Sequence, residues 1–420
     1  MEKVQKNDYK KKKNCFEIQT PDRNYHLFAS TGEETDQWVQ VLQKAFSENR
    51  AEASASSSSS SPSSESAAPA ASPAANGSGP AANKEVEADR VKVNDFQSLK
   101  VIGKGSFGKV LQVRYKKTGQ IFAMKVLNKK TILDRNELDH TRAEKNILMR
   151  LTCPFLVRLY YSFQTQDKLY FVMDYVNGGE LFFHLQKEKT FAPKRVQFYG
   201  AEIVVGLEYL HNQGVIYRDL KPENILITAE GHICMTDFGI SKEGLLAKDD
   251  RTATFCGTPE YLAPEVLEGK GYGKEVDWWS FGTLMYEMFT GLPPFYSEDV
   301  QLMYSKIMNA KLKFPSTIPA EAANLIEGLL SRDPKERLSD PTAIRAHPYF
   351  ANIDWDKLIK KEIVPPYVPP VKSELSTDMI DPSFTGEDAT LSVTDNGSEL
   401  SKAEQDNFGG FTYVAPSNLK

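Results

Sequence analysis

Tyr217-Arg218-Asp219-Leu220-Lys221-Pro222-Glu223-Asn224, followed by Asp237-Phe238-Gly239, is the stretch on which the reading of this chain turns. It sets two acids, a lysine and an amide close together. Phosphoryl transfer asks for such a set, because it needs alignment of an acceptor and neutralisation of phosphate charge more than covalent help. Asp219 suits orientation of an incoming hydroxyl and acceptance of its proton. Asn224 and Asp237 offer the hard oxygen ligands that magnesium takes when it bridges phosphates. Lys221 suits neutralisation of charge on the transferring group. Each residue alone is unremarkable on a protein surface; their order and spacing carry the meaning.

Toward the N-terminus the next signal is Gly103-Lys104-Gly105-Ser106-Phe107-Gly108. By itself this spacing fits a dinucleotide-binding turn that opens a helix equally well. Here Lys109-Val110-Leu111-Gln112-Val113 follows, which reads as a strand, so the glycines sit in a hairpin. A glycine hairpin is a lid whose backbone N–H groups approach phosphate oxygens with no Cβ in the way. Lys125 lies in the apolar run Phe122-Ala123-Met124-Lys125-Val126, where an ammonium needs an anion. Glu144, on the next helical stretch, is its candidate partner.

The chain of 420 residues is long for one domain, and its composition divides it. Residues 47–92, with an unbroken serine run from Ser56 to Ser61, are expected to form a disordered linker. Residues 1–46 hold two short alternating runs, Cys15-Phe16-Glu17-Ile18 and Tyr25-His26-Leu27-Phe28. A capping-box pattern at Ser30 and Glu33 then precedes a helical face of Trp38, Leu42 and Ala45 or Phe46. Residues 96–350 open with β-type alternation, as in Tyr170-Phe171-Val172-Met173, and continue with helical patterns such as Val196 to Tyr209 and Ala320 to Leu330. Strands first and helices after predict an α+β body of two lobes, about 96–177 and 178–350. Residues 351–420 read as a tail that lies on something else, Pro-rich at 365–370 and ending in an aromatic cluster around Phe411.

Lys+Arg 51 against Asp+Glu 56 leaves a net charge of -5, so no global field draws the chain to nucleic acid, and no nucleic-acid partner is expected. Four scattered cysteines without a CxxC pair argue against a disulfide framework or structural zinc. No apolar run approaches the ~20 residues of a membrane span, and no signal peptide is visible. A soluble, cytoplasmic monomer is the expectation.

Across residues 96–350 the chain resembles the eukaryotic protein kinases. Ala263-Pro264-Glu265 matches the motif that closes their activation segment, and Asp277-Trp278-Trp279-Ser280-Phe281-Gly282 carries the buried aspartate of their large lobe. Arg337 is placed like the arginine that pairs with Glu265, and Lys221 after Asp219 resembles the serine/threonine rather than the tyrosine kinases. Tyr217 in place of the usual histidine, Thr254-Phe255-Cys256-Gly257-Thr258-Pro259-Glu260-Tyr261 and Phe408-Gly409-Gly410-Phe411-Thr412-Tyr413 are similar to the AGC group. Residues 1–46 resemble the last strands and C-terminal helix of a pleckstrin-homology (PH) domain, with Trp38 in place of that helix's usual tryptophan. A partial PH domain ahead of such a kinase resembles the protein kinase B (Akt) family. The front half of a PH domain, which grips a phosphoinositide headgroup, has no counterpart here, and Lys10 to Lys13 read as a solvated loop. Lipid binding is therefore not expected; plasma-membrane recruitment would return only with further N-terminal sequence.

The resemblance implies a bilobal fold that holds ATP and Mg2+ between its lobes. Adenine would meet Ile102, Val110, Ala123, Leu226 and Thr236, with Met173 as gatekeeper and the backbone of Asp174 and Val176 as hydrogen-bond partners. The phosphates would lie under Gly103 to Lys109, which includes Lys104, Gly105, Ser106, Phe107 and Gly108. Asp219, Lys221, Lys125 and Glu144 would be catalytic, and Asn224 and Asp237 would hold the metal. Thr254 would be the activation-loop phosphosite, paired with Arg218, His140 and Lys242. Phe408 and Phe411 would dock beside the helix bearing Glu144, with Thr412 as accompanying phosphosite. Ser392 would be the turn-motif site, with Thr390 as rival, and Ile380 stands where the tail usually lays a phenylalanine against ATP. Glu180, Glu223 and Glu287 match acidic positions that read basic residues ahead of the acceptor, which favours arginine-rich substrates. Protein substrates and upstream activating kinases are the implied partners. A catalytically silent ATP-binding module is the alternative, against which Lys125, Glu144, Asp219, Asn224 and Asp237 are all present.

Overall fold

The computed structural model of the protein describes residues 3–6, 14–19, 24–28, 31–33, 35–40, 42–43, 91–105, 108–245, 250–390 and 400–416. They belong to two units, Met1–Lys84 and Glu85–Lys420. In the first, β1 (Lys3–Lys6), β2 (Cys15–Gln19) and β3 (Asn24–Phe28) form an antiparallel sheet in that order, and residues 35–40 are helical. The two alternating runs are thus strands. β1 was not expected, because Lys3-Val4-Gln5-Lys6 has one apolar residue and no pattern of its own. Its conformation comes from pairing, with Val4 opposite Ile18. Cys15 and Phe16 are buried, whereas Trp38 is 49% exposed. All but the last two residues of the expected linker lie outside the described residues, as do Lys10 to Lys13, Ser30, Ala45 and Phe46.

The second unit opens with five antiparallel strands: β4 (Phe96–Gly105), β5 (Gly108–Tyr115), β6 (Ile121–Asn128), β7 (Leu159–Gln164) and β8 (Lys168–Asp174). β-Branched and aromatic residues suit these strands because they pack well on a pleated, half-buried surface. One face closes over Phe96, Tyr115, Tyr161 and Phe163, with the Phe96 and Phe163 rings stacked at 5.9 Å. Between β6 and β7 lies the helix Leu138–Leu148, which carries Glu144.

The large lobe is built on the helices Pro193–Asn212 and Glu275–Thr290. Proline at the first position starts the former, where its missing N–H costs nothing. The latter buries Trp278, Trp279, Phe281, Leu284 and Met285, and ends at Gly291, whose φ of 83° is the left-handed conformation that glycine adopts without strain. A short hairpin, β9 (Ile225–Ile227) with β10 (Ile233–Met235), follows the segment that holds Asp219. Two lobes, strands first and helices after, match the α+β expectation. Among the described residues no helix is long and apolar enough to cross a membrane.

The tail lies on both lobes. The Arg195 guanidinium is held between the rings of Phe191 and Tyr367, at 4.0 and 3.8 Å from their centroids, which fastens the proline-rich stretch to the large lobe. Tyr175 donates to the Ser376 carbonyl at 2.8 Å, Asn177 to Ser373 at 3.0 Å, and Lys100 to the Thr377 hydroxyl at 2.8 Å. The chain then reaches the small lobe, where β11 (Tyr413–Val414) pairs with the free edge of β7.

Arg337 and Glu265 form a bidentate pair, Nη1 to Oε1 at 2.6 Å and Nη2 to Oε2 at 2.8 Å, with the arginine side chain 0% exposed. Removing one partner of such a pair leaves an uncompensated buried charge. Arg337→Ala is expected to destabilise the large lobe by about 3–5 kcal/mol in urea unfolding followed by tryptophan fluorescence. Unchanged stability would show that the pair contributes nothing.

Candidate active site

The segment Tyr217–Lys221 is irregular and runs into a 3-10 turn at Pro222–Asn224, and one buried carboxylate shapes its start. Asp277 is 0% exposed. Its Oδ2 accepts the Tyr217 N–H at 2.9 Å and lies 2.7 Å from His211 Nε2, while its Oδ1 accepts the Arg218 N–H at 2.8 Å. These bonds hold Arg218 at a φ of 67°, which a non-glycine residue adopts only under constraint. Tyr217 is fully buried, its hydroxyl donating to the Thr236 carbonyl and its ring meeting Phe238 edge-on at 5.4 Å.

Asp219 is fixed through both oxygens. Oδ2 lies 3.0 Å from Lys221 Nζ and accepts from Asn224 Nδ2 at 2.8 Å; Oδ1 accepts from the Thr258 hydroxyl at 2.9 Å. Lys221 also donates to Thr258 Oγ1 at 2.9 Å. Thr258 was quoted in the sequence without a role, and only the fold brings it to Asp219. Asn224 Nδ2 donates to the Asp219 carbonyl as well, at 2.8 Å, so its own carbonyl oxygen is what the amide has to offer a cation.

Across the cleft Lys125 Nζ lies 2.6 Å from Glu144 Oε1 and 3.4 Å from Asp237 Oδ1. Burial works to lower the pKa of this lysine, but the Asp237 and Glu144 carboxylates outweigh it and hold the ammonium charged. Asp237 is held below its ordinary value chiefly by Lys125. Burial pushes Glu144 up, and Lys125 opposes it.

Between the lobes is a cleft of about 510 Å³ lined by Ile102, Val110, Ala123, Met173, Leu226 and Thr236, with Gly103, Asp174, Val176, Asn224 and Asp237. An adjoining cavity, toward Asp219 and Gly239, takes in Lys104, Gly105, Gly108 and Lys109. Ser106 and Phe107 lie outside the described residues. The tail adds Met379, Ile380, Asp381 and Phe384 to the cleft wall. Phe384, four residues past the isoleucine that replaces the expected phenylalanine, is an aromatic the sequence reading passed over. Among the described residues no three His, Cys, Asp or Glu side chains form a self-sufficient cation site. Magnesium, which keeps waters and leans on phosphate oxygens, needs only one or two protein oxygens.

Glu180 and Glu223 also line the cleft. Burial raises the pKa of both, and each has a carboxylate neighbour that adds to the rise, Glu223 for Glu180 and Asp219 for Glu223. Glu287 is buried, accepts the Tyr261 hydroxyl, and is pushed up to about 7 by burial, with Glu223 and Glu260 adding to the effect. Thr254 is exposed. Of its expected partners, Arg218 is joined to it through the Tyr272 hydroxyl. His140 Nδ1 lies 2.6 Å from Glu137, and Lys242 is exposed with its backbone paired to Ile216. Thr390 accepts the Lys109 ammonium on its carbonyl, whereas Ser392 lies outside the described residues.

Phe408 and Phe411 are buried against the small lobe, and Thr412 beside them is exposed. The Phe411 ring meets Phe171 edge-on at 5.2 Å. Lys145, next to Glu144, donates to the Gly410 carbonyl at 2.5 Å and lies over the Phe411 ring at 5.5 Å. Ser162 donates to the Phe411 carbonyl at 2.7 Å, and Gln164 to that of Phe408 at 2.9 Å.

Two family models match the chain, the protein kinase domain over residues 96–350 and the protein kinase C terminal domain over residues 371–413. The chain is 54% identical over 414 residues to the RAC family serine/threonine-protein kinase homolog of Dictyostelium discoideum, covering 99% of this chain and 86% of that one. It is 47% identical over 334 residues to the RAC-beta serine/threonine-protein kinase of Homo sapiens, covering 78% and 69%. Against the serine/threonine-protein kinase YPK1 of Saccharomyces cerevisiae it is 51% identical over 331 residues, covering 78% and 48%.

Truncating a buried phenylalanine costs about 3–5 kcal/mol, enough to release a short docked segment. Phe411→Ala is expected to raise amide exchange in residues 408–414 and in the helix Leu138–Leu148 by roughly 100-fold or more. Exchange confined to the tail would mean that the docked aromatics do not steady that helix.

Proposed function

Because the chain belongs to the protein kinase family, as a serine/threonine kinase of the AGC group, we propose that it transfers the γ-phosphate of ATP to Ser and Thr hydroxyls in arginine-rich sequences, switched on by phosphorylation at Thr254 and Thr412. The observation that carries this reading is the convergence on one cleft of Asp219, held by Lys221, Asn224 and Thr258, and of the Lys125–Glu144–Asp237 set. The full catalytic set and relatives named as serine/threonine kinases leave the silent-module alternative unsupported.

In this mechanism the adenine lies among Ile102, Val110, Ala123, Met173, Leu226 and Thr236, and the phosphates reach under the glycine-rich hairpin toward Lys125. Glu144 aims the Lys125 ammonium at them. Asn224 and Asp237 suit magnesium, which when bound neutralises charge on the phosphates. Asp219, with its carboxylate fixed by Thr258 and Asn224, orients the acceptor hydroxyl and takes its proton as the oxygen attacks. Lys221 stays beside the transferring group and offsets its charge. Glu180, Glu223 and Glu287 give the acceptor side a negative field, which supports a preference for Arg three residues before the acceptor and for a second Arg further upstream. A phosphate on Thr254 would bring nearly two negative charges within reach of Arg218.

The catalytic unit spans residues 96–350, and residues 351–420 form its tail; residues 1–46 we read as part of a PH domain and 47–92 as a linker. Ser392 or Thr390 would serve as the turn-motif site. We read the protein as a cytoplasmic monomer that meets protein substrates and upstream kinases, and its free cysteines suit a reducing compartment.

The direct test follows labelled phosphate from MgATP to an Arg-x-Arg-x-x-Ser peptide with protein phosphorylated at Thr254. Asp219→Asn, nearly isosteric, is expected to lower kcat by about 10²- to 10⁴-fold with thermal unfolding unchanged; full activity in that variant would refute the base assignment. A second expectation concerns pH. With its folded-state pKa near 7, Glu287 is mostly ionised above that pH and mostly neutral below it. The preference in kcat/KM for the Arg-containing over an Arg-free peptide should therefore grow as pH rises from 6 to 8. Glu287→Gln should flatten the profile, and a profile that persists in that variant would exclude Glu287 as its source.

A further inference from the structure

Gly271-Tyr272-Gly273 runs between the activation segment and the helix Glu275–Thr290, and the sequence reading gave it no role. The Arg251 and Glu275 side chains end against this ribbon, Arg251 Nη1 and Glu275 Oε2 lying 2.6 and 2.7 Å from where a Cβ on Gly273 would stand. The Tyr272 backbone pairs with Thr252, each N–H donating to the other's carbonyl at 2.9 Å. That rung ties the activation segment to the body two residues before Thr254. The Tyr272 side chain turns inward and is 2% exposed. Its hydroxyl donates to the Thr254 carbonyl at 2.6 Å, accepts from Arg218 Nη1 at 3.3 Å, and lies 3.8 Å from Cys256 Sγ. Arg218 is itself fixed, its N–H on Asp277 and its Nε on the Ile240 carbonyl at 2.6 Å.

We propose that the Tyr272 hydroxyl is a positioning group that holds the activation segment to the catalytic loop before Thr254 is phosphorylated, by joining the Arg218 guanidinium to the Thr254 carbonyl. This rests on the reading of Thr254 as the activating phosphosite. The hydroxyl acts at once as donor and acceptor, so its loss strands a carbonyl on one side and frees a guanidinium N–H on the other. Burial pushes its pKa up to about 12, so it keeps its proton, and with it the bond to Thr254, through the neutral range. The hold leaves the Thr254 side chain outside, where an upstream kinase can reach it. Once phosphorylated, Thr254 offers Arg218 charge-assisted bonds about twice as strong as neutral ones, and the hydroxyl becomes largely redundant. Tyr272 therefore matters most in the unphosphorylated enzyme, where it sets the resting rate.

The test is Tyr272→Phe in the full chain, prepared with and without phosphate on Thr254. Measured are kcat and KM toward an Arg-x-Arg-x-x-Ser peptide, KM for ATP, and amide exchange across residues 250–258. In the unphosphorylated form kcat/KM should fall roughly three- to tenfold and exchange should quicken; in the phosphorylated form the loss should stay under about twofold. KM for ATP should not move in either. Equal losses in the two forms, with or without a lowered Tm, would mean a merely structural tyrosine and overturn the proposal. So would an unphosphorylated variant with wild-type rate and exchange. Should phosphate on Thr254 fail to activate the wild type, the phosphosite reading fails instead, and the unphosphorylated comparison still judges Tyr272.

Discussion

The carboxylate of Asp277 is the constraint on which the catalytic side of the molecule depends. It stands in the first turn of the helix Glu275–Thr290 and is held from outside that helix; its partners are the N–H groups of Tyr217 and Arg218 and the His211 ring. A carboxyl group at 0% exposure is tolerated only when such bonds replace water. Tyr217 and Arg218 have no strand or helix ladder to satisfy their N–H groups, so they cannot keep their shape without the carboxylate, and the carboxylate cannot stay buried without them. That mutual need fixes the backbone that leads into Asp219 and holds Arg218 at a positive φ. From Arg218 the order passes to Ile240 and Tyr272, and so to the activation segment.

The cleft sorts its charges. On the small-lobe side the Lys125 ammonium is answered by two carboxylates, and the phosphates of a nucleotide would add further anions around it. On the other side burial raises the pKa values of Glu180, Glu223 and Glu287, and Glu223 adds to the rise at the other two. Strain of that kind would be relieved by any cation that came beside these carboxyl groups.

What could be read from the sequence and what could not divides along a physical line. The Lys125–Glu144 pair was legible because burying a lone ammonium is so costly that an apolar strand around it demands an anion. The catalytic segment and the two-lobed body were legible because residue order and periodicity are local. β1 was not, since its four residues take their conformation from Ile18 and its neighbours across the sheet. Thr258, Tyr272 and Phe384 were missed for the same reason. Thr258 lies 39 residues from the aspartate it touches, and a threonine or tyrosine has no charge that requires explanation in advance. His140 and Lys242 are named as partners of a phosphate by the resemblance alone; His140 lies beside Glu137 and Lys242 is exposed.

The tail shows why a segment without a core of its own can still be structurally fixed. It contributes a two-residue strand to an edge that would otherwise expose unpaired N–H and C=O groups, and it lays Phe411 against Phe171 of β8. Its carbonyls at Phe408, Gly410 and Phe411 are taken by Gln164, Lys145 and Ser162, all side chains of the small lobe. Backbone groups buried in this way bind the tail in one register only, because a shift by one residue would turn Phe411 out to solvent. Lys145 belongs to the same helix turn as Glu144, so the register of the tail and the aim of Lys125 are set by neighbouring side chains on one rigid element.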